Sequence, residues 1–519
     1  MFLAEQTAAA AVPAIYKSLA AGNTWLSLAP EMLVALLSLV ALVVGMILKK
    51  REAWPTPALI KFALLLITGL SFALLFRTGG ATLNETDLPF GGLLRRPDWF
   101  TDVARIFFLV SAFCVTQLIS VYLRASRLAH HEYYHLTLVA TAAMMLLVQA
   151  NHFVLFFMAL ETIAVTLYVL VGYNRNSTAS LEAGVKYLVT GALSSAFLLA
   201  GIVLLYGMGG SATPGLDMLR FDHLAGFVAS HENLALVKVA VMLVLGGVAF
   251  KVGAFPFNVW IPDVYQGAPA PTASFLATAS KGAGVFALVM LTALDGSPFV
   301  GMRDTLVNVL VPVTALTLLL GNIPALGQLK VKRLLGLSGI SHAGFLLMGV
   351  IAAIMTNPDT AAHDLARVAI VVYLFAYLFA STLVFSVITH VAGEDDAGST
   401  ITDYKGLYKR NPIVAFFFAI GLGSLAGIPP TFGFVAKLLI LIAAFQAELY
   451  GLLAVAFVCL VMGMYYYLGW LREAFHRVDS EVATKPINVC IRSKIILGAI
   501  SLLLLFGFAA QLLFKFELL

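Results

Sequence analysis

The chain has 519 residues, of which 61% are hydrophobic and 11% charged, with a formal net charge of +5. A soluble chain carries about 25% charge, so this composition points to a protein embedded in lipid, long enough for a dozen or more spans of about 20 residues each, and its slight positive balance belongs to loops and not to a nucleic-acid partner. The scattered Cys114, Cys459 and Cys490 form no C-x-x-C pair, which argues against an iron–sulfur cluster, a zinc site or a disulfide framework, and no G-x-x-x-x-G-K-[ST] or G-x-G-x-x-G stretch offers a phosphate cradle for NADH or ATP.

In chain order, the first thirty residues lack a basic start followed by a clean apolar core, so a cleavable signal peptide is not expected. Fourteen apolar segments then read as spanning helices, near 32–48, 58–76, 103–122, 136–150, 152–172, 183–207, 235–260, 271–294, 303–321, 334–355, 366–389, 412–446, 449–471 and 494–514. The fourth is short, and the twelfth is long enough to be broken or tilted. With the N-terminus outside, the inner loops hold 18 Lys and Arg against 10 on the outer side, the bias of the positive-inside rule. Both termini are therefore expected on the side away from the cytoplasm.

The remaining four basic residues, Lys186, Lys251, Lys281 and Lys437, lie within spans, and all are lysines. Buried lysine can shed its proton, whereas arginine effectively never does. Glu161 stands mid-span in LFFMALETIAVTLYVLVGY. A charge at the bilayer centre costs at least about 2.5–3.5 kcal/mol, and one carboxylate cannot neutralise several lysines. A Glu–Lys pair that forms and separates would act as a proton switch: at 4 Å and an effective dielectric of 20 the pair is worth about 4 kcal/mol. Lys186, near its helix start, reads equally well as an anchor snorkelling to the interface.

The stretch AFKVGAFPFNVWIPDVYQGAPAPTASFLATASKG, residues 249–282, adds Pro256, Pro262, Pro269 and Pro271 to Lys251 and Lys281. Pro256 cannot donate to the carbonyl of Val252, and a break of this kind in a span is tolerated where water or neighbouring groups take up the freed carbonyls. GAFP at 253–256 recurs as GIPP at 427–430. Two interrupted helices in corresponding positions point to an inverted-repeat transporter and its path. The expected organisation is a single membrane domain: 1–135 with helices 1–3, a first repeat at 136–294 with helices 4–8, a second at 301–475 with helices 9–13, and a last helix in 476–519. The breaks at Pro256 and Pro430 correspond, but Lys251 precedes its proline and Lys437 follows, so the two lysines are not equivalent. HHEYYH at 130–135 has metal-like residues but is expected in a solvated inner loop. His342 reads as a core histidine or as a proton carrier between half-channels, and Tyr465, Tyr466 and Tyr467 as packing or interface residues.

PDVYQGAPAPTASFLATASK and SLAGIPPTFGFVAK, with VKYLVTGALSSAFLL at 185–199 and LKVKRLLGLSGISHAGF at 329–345, closely resemble the subunit N family of the proton-pumping NADH:quinone oxidoreductase, respiratory complex I. The resemblance covers most of the chain, and the PDVYQGAP loop sets it apart from sister subunits L and M and from multisubunit sodium/proton antiporters. It implies an all-α polytopic fold of about 14 helices, two inverted five-helix repeats and broken helices 7 and 12. It implies proton translocation through Glu161, Lys251, Lys281 and Lys437, with Lys186 and His342 auxiliary. It also implies no cofactor and no metal in this chain, with flavin, iron–sulfur clusters and quinone held by partner subunits. The expected setting is a bacterial inner membrane, among homologous antiporter-like subunits. The alternatives are a subunit of a sodium/proton antiporter, a structural assembly subunit with a vestigial channel, and a small-solute transporter.

Overall fold

The structure is a computed structural model. It describes residues 25, 28–47, 56–78, 89–95, 98–125, 131–212, 216–358, 360–392, 399–476, 487 and 489–513. Helices dominate, and β pairing among the described residues is limited to isolated bridges such as His152 with Arg220. In chain order the membrane helices are α1 (Ala29–Ile47), α2 (Thr56–Thr78), α3 (Trp99–Ala125), α4 (His131–Leu147), α5 (Phe153–Val171) and α6 (Thr178–Ala212). The seventh unit is split into α7a (Ala235–Val252) and α7b (Ile261–Gly267), and α8 covers Ala270–Thr292. Then come α9 (Arg303–Asn322), α10 (Val331–Met355), α11 (Ala361–Ala392), the halves α12a (Pro412–Ala426) and α12b (Phe432–Gln446), α13 (Tyr450–Phe475) and α14 (Ile491–Leu513). Each of the fourteen expected spans meets one of these units, and eleven helices among the described residues are long and apolar enough to cross a bilayer.

Local chemistry explains several boundaries. Asn411 caps α12a by accepting from the backbone N–H groups of Ile413 and Val414, with Pro412 in the first turn. His152 does the same for α5 through Val154. HHEYYH departs from its expected loop: from His131 onward it is the first turn and a half of α4. His135 meets the Ser38 hydroxyl at 2.8 Å, and the Tyr133 hydroxyl meets Thr272. Its aromatic residues pack inward, which a loop reading based on polarity overlooks; His130 lies outside the described residues.

Both expected breaks are present, with a different cause from the one proline suggests. The α7a helix stops at Val252, four residues before Pro256, on Gly253 with φ +80°. Gly253 donates to Ala249 and Phe250, and the next amide, Ala254, donates back to Ala249. The α12a helix stops the same way on Gly427 with φ +79°, which donates to Gly423 and Ser424 while Ile428 donates to Gly423. This is the left-handed glycine stop, which other residues adopt at a cost of about 1–2 kcal/mol. Pro256 and Pro430 follow, each after a cis peptide bond. Glycine ends the helix and proline keeps it from restarting.

The layering places the charged residues. The apolar windows of α8 and α10 are entirely enclosed by protein, whereas those of α1, α2 and α6 are mostly open to the surroundings. α8 also widens into a π-turn over Leu276–Ser280, directly before Lys281, the kind of irregularity often found at functional sites.

Candidate functional site

Lys281 projects from α8 into the centre of the bundle. It is 1% exposed, donates to the Gly339 carbonyl of α10, and has the Tyr377 ring centroid 5.3 Å away. Gly339 leaves the room: a Cβ there would lie 3.1 Å from the Lys281 nitrogen and 3.2 Å from the Tyr377 hydroxyl. Lys437 stands on α12b and reaches back across the break. Its Nζ donates to the carbonyls of Leu425 at 2.8 Å and Ala426 at 3.0 Å, the last residues of α12a. Helix C-terminal carbonyls lack intrahelical donors and carry partial negative charge, so the break itself supplies the ligands of this lysine.

Between these two lysines stands His342 of α10. Its Nδ1 lies 2.7 Å from the Tyr373 hydroxyl and its Nε2 3.3 Å from that of Tyr467. Its ring centroid is 4.6 Å from that of Tyr377, which also packs on Lys281. A small cavity lined by His342, Tyr373, Tyr377, Ser424, Gly433 and Lys437 completes the connection. Of the three tyrosines singled out in the sequence, Tyr467 meets His342, Tyr466 donates to Asn322 at 3.1 Å, and Tyr465 is exposed.

The first half is arranged differently. Lys251, in the last turn of α7a, is buried, with the Tyr187 and Phe250 ring centroids 5.8 and 5.9 Å from its nitrogen. Cation–aromatic attraction acts over such distances. Its Nζ has no hydrogen-bond partner among the described residues, and neither has the indole nitrogen of Trp260, whose ring lies 4.7 Å from that of Tyr187. Glu161 accepts from the Ser195 hydroxyl on α6 and is half-buried on a face that exposes Met158 and Val165. The expected Glu161–Lys251 pair is not in contact. Among the described residues, no carboxylate lies within 4 Å of Lys251, Lys281 or Lys437, in contrast to the ion-paired Lys186.

Lys186 stands apart from this row. It is 44% exposed and pairs with Glu182 at 2.6 Å and Asp263 at 2.9 Å. The structure also holds a buried charge cluster that sequence reading missed. Arg105 grips Glu31 through two bonds of 2.7 and 2.8 Å, meets Asp102 at 3.0 Å, and shares Glu31 with Gln149. The available signal was Asp102 and Arg105 one helical turn apart, but helix ends commonly carry such pairs. Likewise Tyr187, Trp260, Tyr373 and Tyr377 sit in apolar runs where an aromatic residue reads as packing.

Comparisons with known proteins place the chain in a family. A family model described as "NADH:quinone oxidoreductase/Mrp antiporter, TM" matches residues 150–463. The chain belongs to this antiporter-like family. The matched region runs from the start of α5 into α13 and contains all the lysines of the row. Among relatives, "NADH-quinone oxidoreductase subunit N 1" of Opitutus terrae is 48% identical over 469 residues, 88% of each chain. Among solved structures, a chain of respiratory complex I from Thermus thermophilus with bound aureothin superposes with a TM-score of 0.71 at 29% identity, covering 93% of this chain and 98% of that one. A chain of the Mrp complex from Dietzia sp. shares the antiporter-like fold, with a TM-score of 0.74 at 21% identity over 94% of this chain and 95% of that one.

Proposed function

We propose that this chain is the subunit N-type, antiporter-like membrane subunit of an NADH:quinone oxidoreductase, and that it moves protons across the membrane along Lys251, Lys281, His342 and Lys437. In this reading Glu161 biases the entry end, and electron transfer in partner subunits drives the movement. Flavin, iron–sulfur clusters and quinone belong to those partners. The observation that carries the reading is the set of three buried lysines held by carbonyls and aromatic rings, with no carboxylate in contact.

Ligand type decides what such lysines can do. A carboxylate contact favours the ammonium form, and breaking a buried pair leaves an uncompensated charge. A carbonyl accepts from an ammonium and, more weakly, from a neutral amine, so Lys281 and Lys437 keep a partner in both protonation states. Neutral His342 presents one donor and one acceptor nitrogen, and hydroxyls lie on both sides of its ring. It can receive a proton on one nitrogen and release one from the other. In the first half, the unpartnered Lys251 nitrogen and Trp260 indole are groups that water would satisfy. Glu161 and Lys251 stand apart in this structure; closing them to about 4 Å would gain roughly 4 kcal/mol at an effective dielectric of about 20, the size of step a redox-driven rearrangement would supply or withdraw.

The test is Lys251→Ala in membrane vesicles, with assembly of the complex measured separately. NADH-driven quinone reduction and proton uptake are recorded together. The expected result is an assembled complex in which both rates fall sharply. A fall in uptake alone would assign Lys251 to part of the proton stoichiometry. Normal values of both would sink the buried-lysine path and leave the structural reading. Uptake that depends on sodium would move the chain to the sodium/proton antiporter reading.

A further inference from the structure

Superimposing the two breaks on their left-handed glycines exposes a reversal of charge. Asp263 lies ten residues beyond Gly253, and Lys437 lies ten residues beyond Gly427. In the second break that position is a cation turned inward onto the carbonyls of the preceding half-helix. In the first it is a carboxylate turned onto two cations. Asp263 Oδ2 is 2.9 Å from Lys186 of α6, and its Oδ1 is 2.5 Å from Arg333 of α10. One side chain therefore ties α7b to a helix of each half of the molecule.

The neighbourhood strengthens this grip. Arg333 also donates to Gln266 at 3.3 Å, and buried Lys332 donates to the Ala268 carbonyl at 2.7 Å, just past the end of α7b. The backbone is clasped as well: a Cβ on Gly267 would lie 2.3 Å from the Ala179 carbonyl of α6, and one on Gly336 of α10 would lie 3.3 Å from that of Ile261. The opposite end of α7b meets the candidate path. Ile261 packs against Gly253, and the adjoining Trp260 lies 4.7 Å from Tyr187 and 5.1 Å from Phe250, the two rings nearest the Lys251 nitrogen.

We propose that Asp263 is a positioning residue for proton translocation: held between Lys186 and Arg333, it fixes α7b and thereby the aromatic wall that encloses Lys251. The proposal rests on the reading of Lys251 as a member of the proton path. It gives Lys186 a role as one half of a latch, outside the row of proton carriers, and it explains why an exposed lysine sits in an otherwise apolar span. Lys186 keeps Glu182 as a second partner, so loss of Asp263 releases α7b without stranding the lysine.

The experiment compares Asp263→Asn, Asp263→Glu, Lys186→Met and the Lys186→Met/Asp263→Asn double variant in membranes holding the whole complex, normalised to NADH oxidation by an artificial acceptor. Asp263→Asn is expected to lower proton uptake about fivefold. Asp263→Glu restores most of it, and the double variant falls no further than Asp263→Asn. Amide hydrogen exchange over 253–262 speeds up in Asp263→Asn and returns towards normal in Asp263→Glu. Should Asp263→Asn fail to assemble, Lys186→Met carries the same expectation from the other side of the pair. Unchanged uptake and exchange in the variants, or fully additive losses in the double variant, overturn the latch. Lys251→Ala run in parallel separates the failures: if it lowers uptake while Asp263→Asn does not, the latch falls and the path stands, and if neither lowers it, the path falls first.

Discussion

A lysine nitrogen bound by main-chain oxygen has a partner whose own charge never changes. Lys281 on the Gly339 carbonyl and Lys437 on those of Leu425 and Ala426 are of this kind. Substituting arginine tests the point more sharply than alanine, because it keeps the positive charge and donor capacity but removes the ability to lose the proton. Lys281→Arg is expected to leave the complex assembled and to reduce proton uptake as severely as Lys281→Ala. A variant that pumps at the normal rate would show that only the charge at this position matters. The lysines themselves were legible in the sequence because a charge inside an apolar run stands out against its insertion cost. Their ligands were not, since every residue has a carbonyl and no letter marks the one that faces a side chain. Nor was the distance between Glu161 and Lys251 legible: both residues were identified, but contact depends on how α5 and α7a are set.

At the scale of the element, the two breaks carry the chemistry. Their recurrence was readable from GAFP and GIPP, but the stop falls on Gly253 and Gly427 because a left-handed terminal residue satisfies the helix carbonyls before proline can act. Gly427→Ala is expected to be costly for two separable reasons. Alanine at φ +79° is strained by about 1–2 kcal/mol, and its Cβ would lie 2.8 Å from Cδ of Lys437. The expected outcome is an assembled complex with a lower thermal midpoint and reduced proton uptake. Lys437→Ala combined with Gly427→Ala relieves the crowding but not the strain, so thermal stability should return only in part. Full return in the double variant would remove the backbone conformation from the account.

For the whole molecule, the order of enclosure matters more than the number of helices. The helices with the least protein cover are at the periphery, and α8 and α10, which carry Lys281 and His342, lie fully inside. Helix number and approximate span positions followed from hydrophobic length alone. The enclosure of α8 and α10 did not, because a helix that is apolar all round looks the same facing lipid as facing protein. Orientation remains an expectation from the loop charges, and Cys490 gives a direct test. Among the cysteines it is the exposed one, while Cys114 and Cys459 are buried. A membrane-impermeant maleimide should label Cys490 in inside-out vesicles and not in intact spheroplasts. Labelling only in spheroplasts would invert the topology.

The bond from Lys437 to the end of α12a has a mechanical meaning. The lysine belongs to one half-helix and its acceptors to the other, so the side chain works as a staple across the gap at Gly427. Its hold depends on occupancy: charge-assisted hydrogen bonds are roughly twice as strong as neutral ones. On the proposed path, a proton arriving at Lys437 would tighten the joint between α12a and α12b, and its departure would slacken it. Proton occupancy of Lys437 and the angle between α12a and α12b would on that path be a single coordinate, so that a force bending the broken helix from outside would also set when the proton leaves.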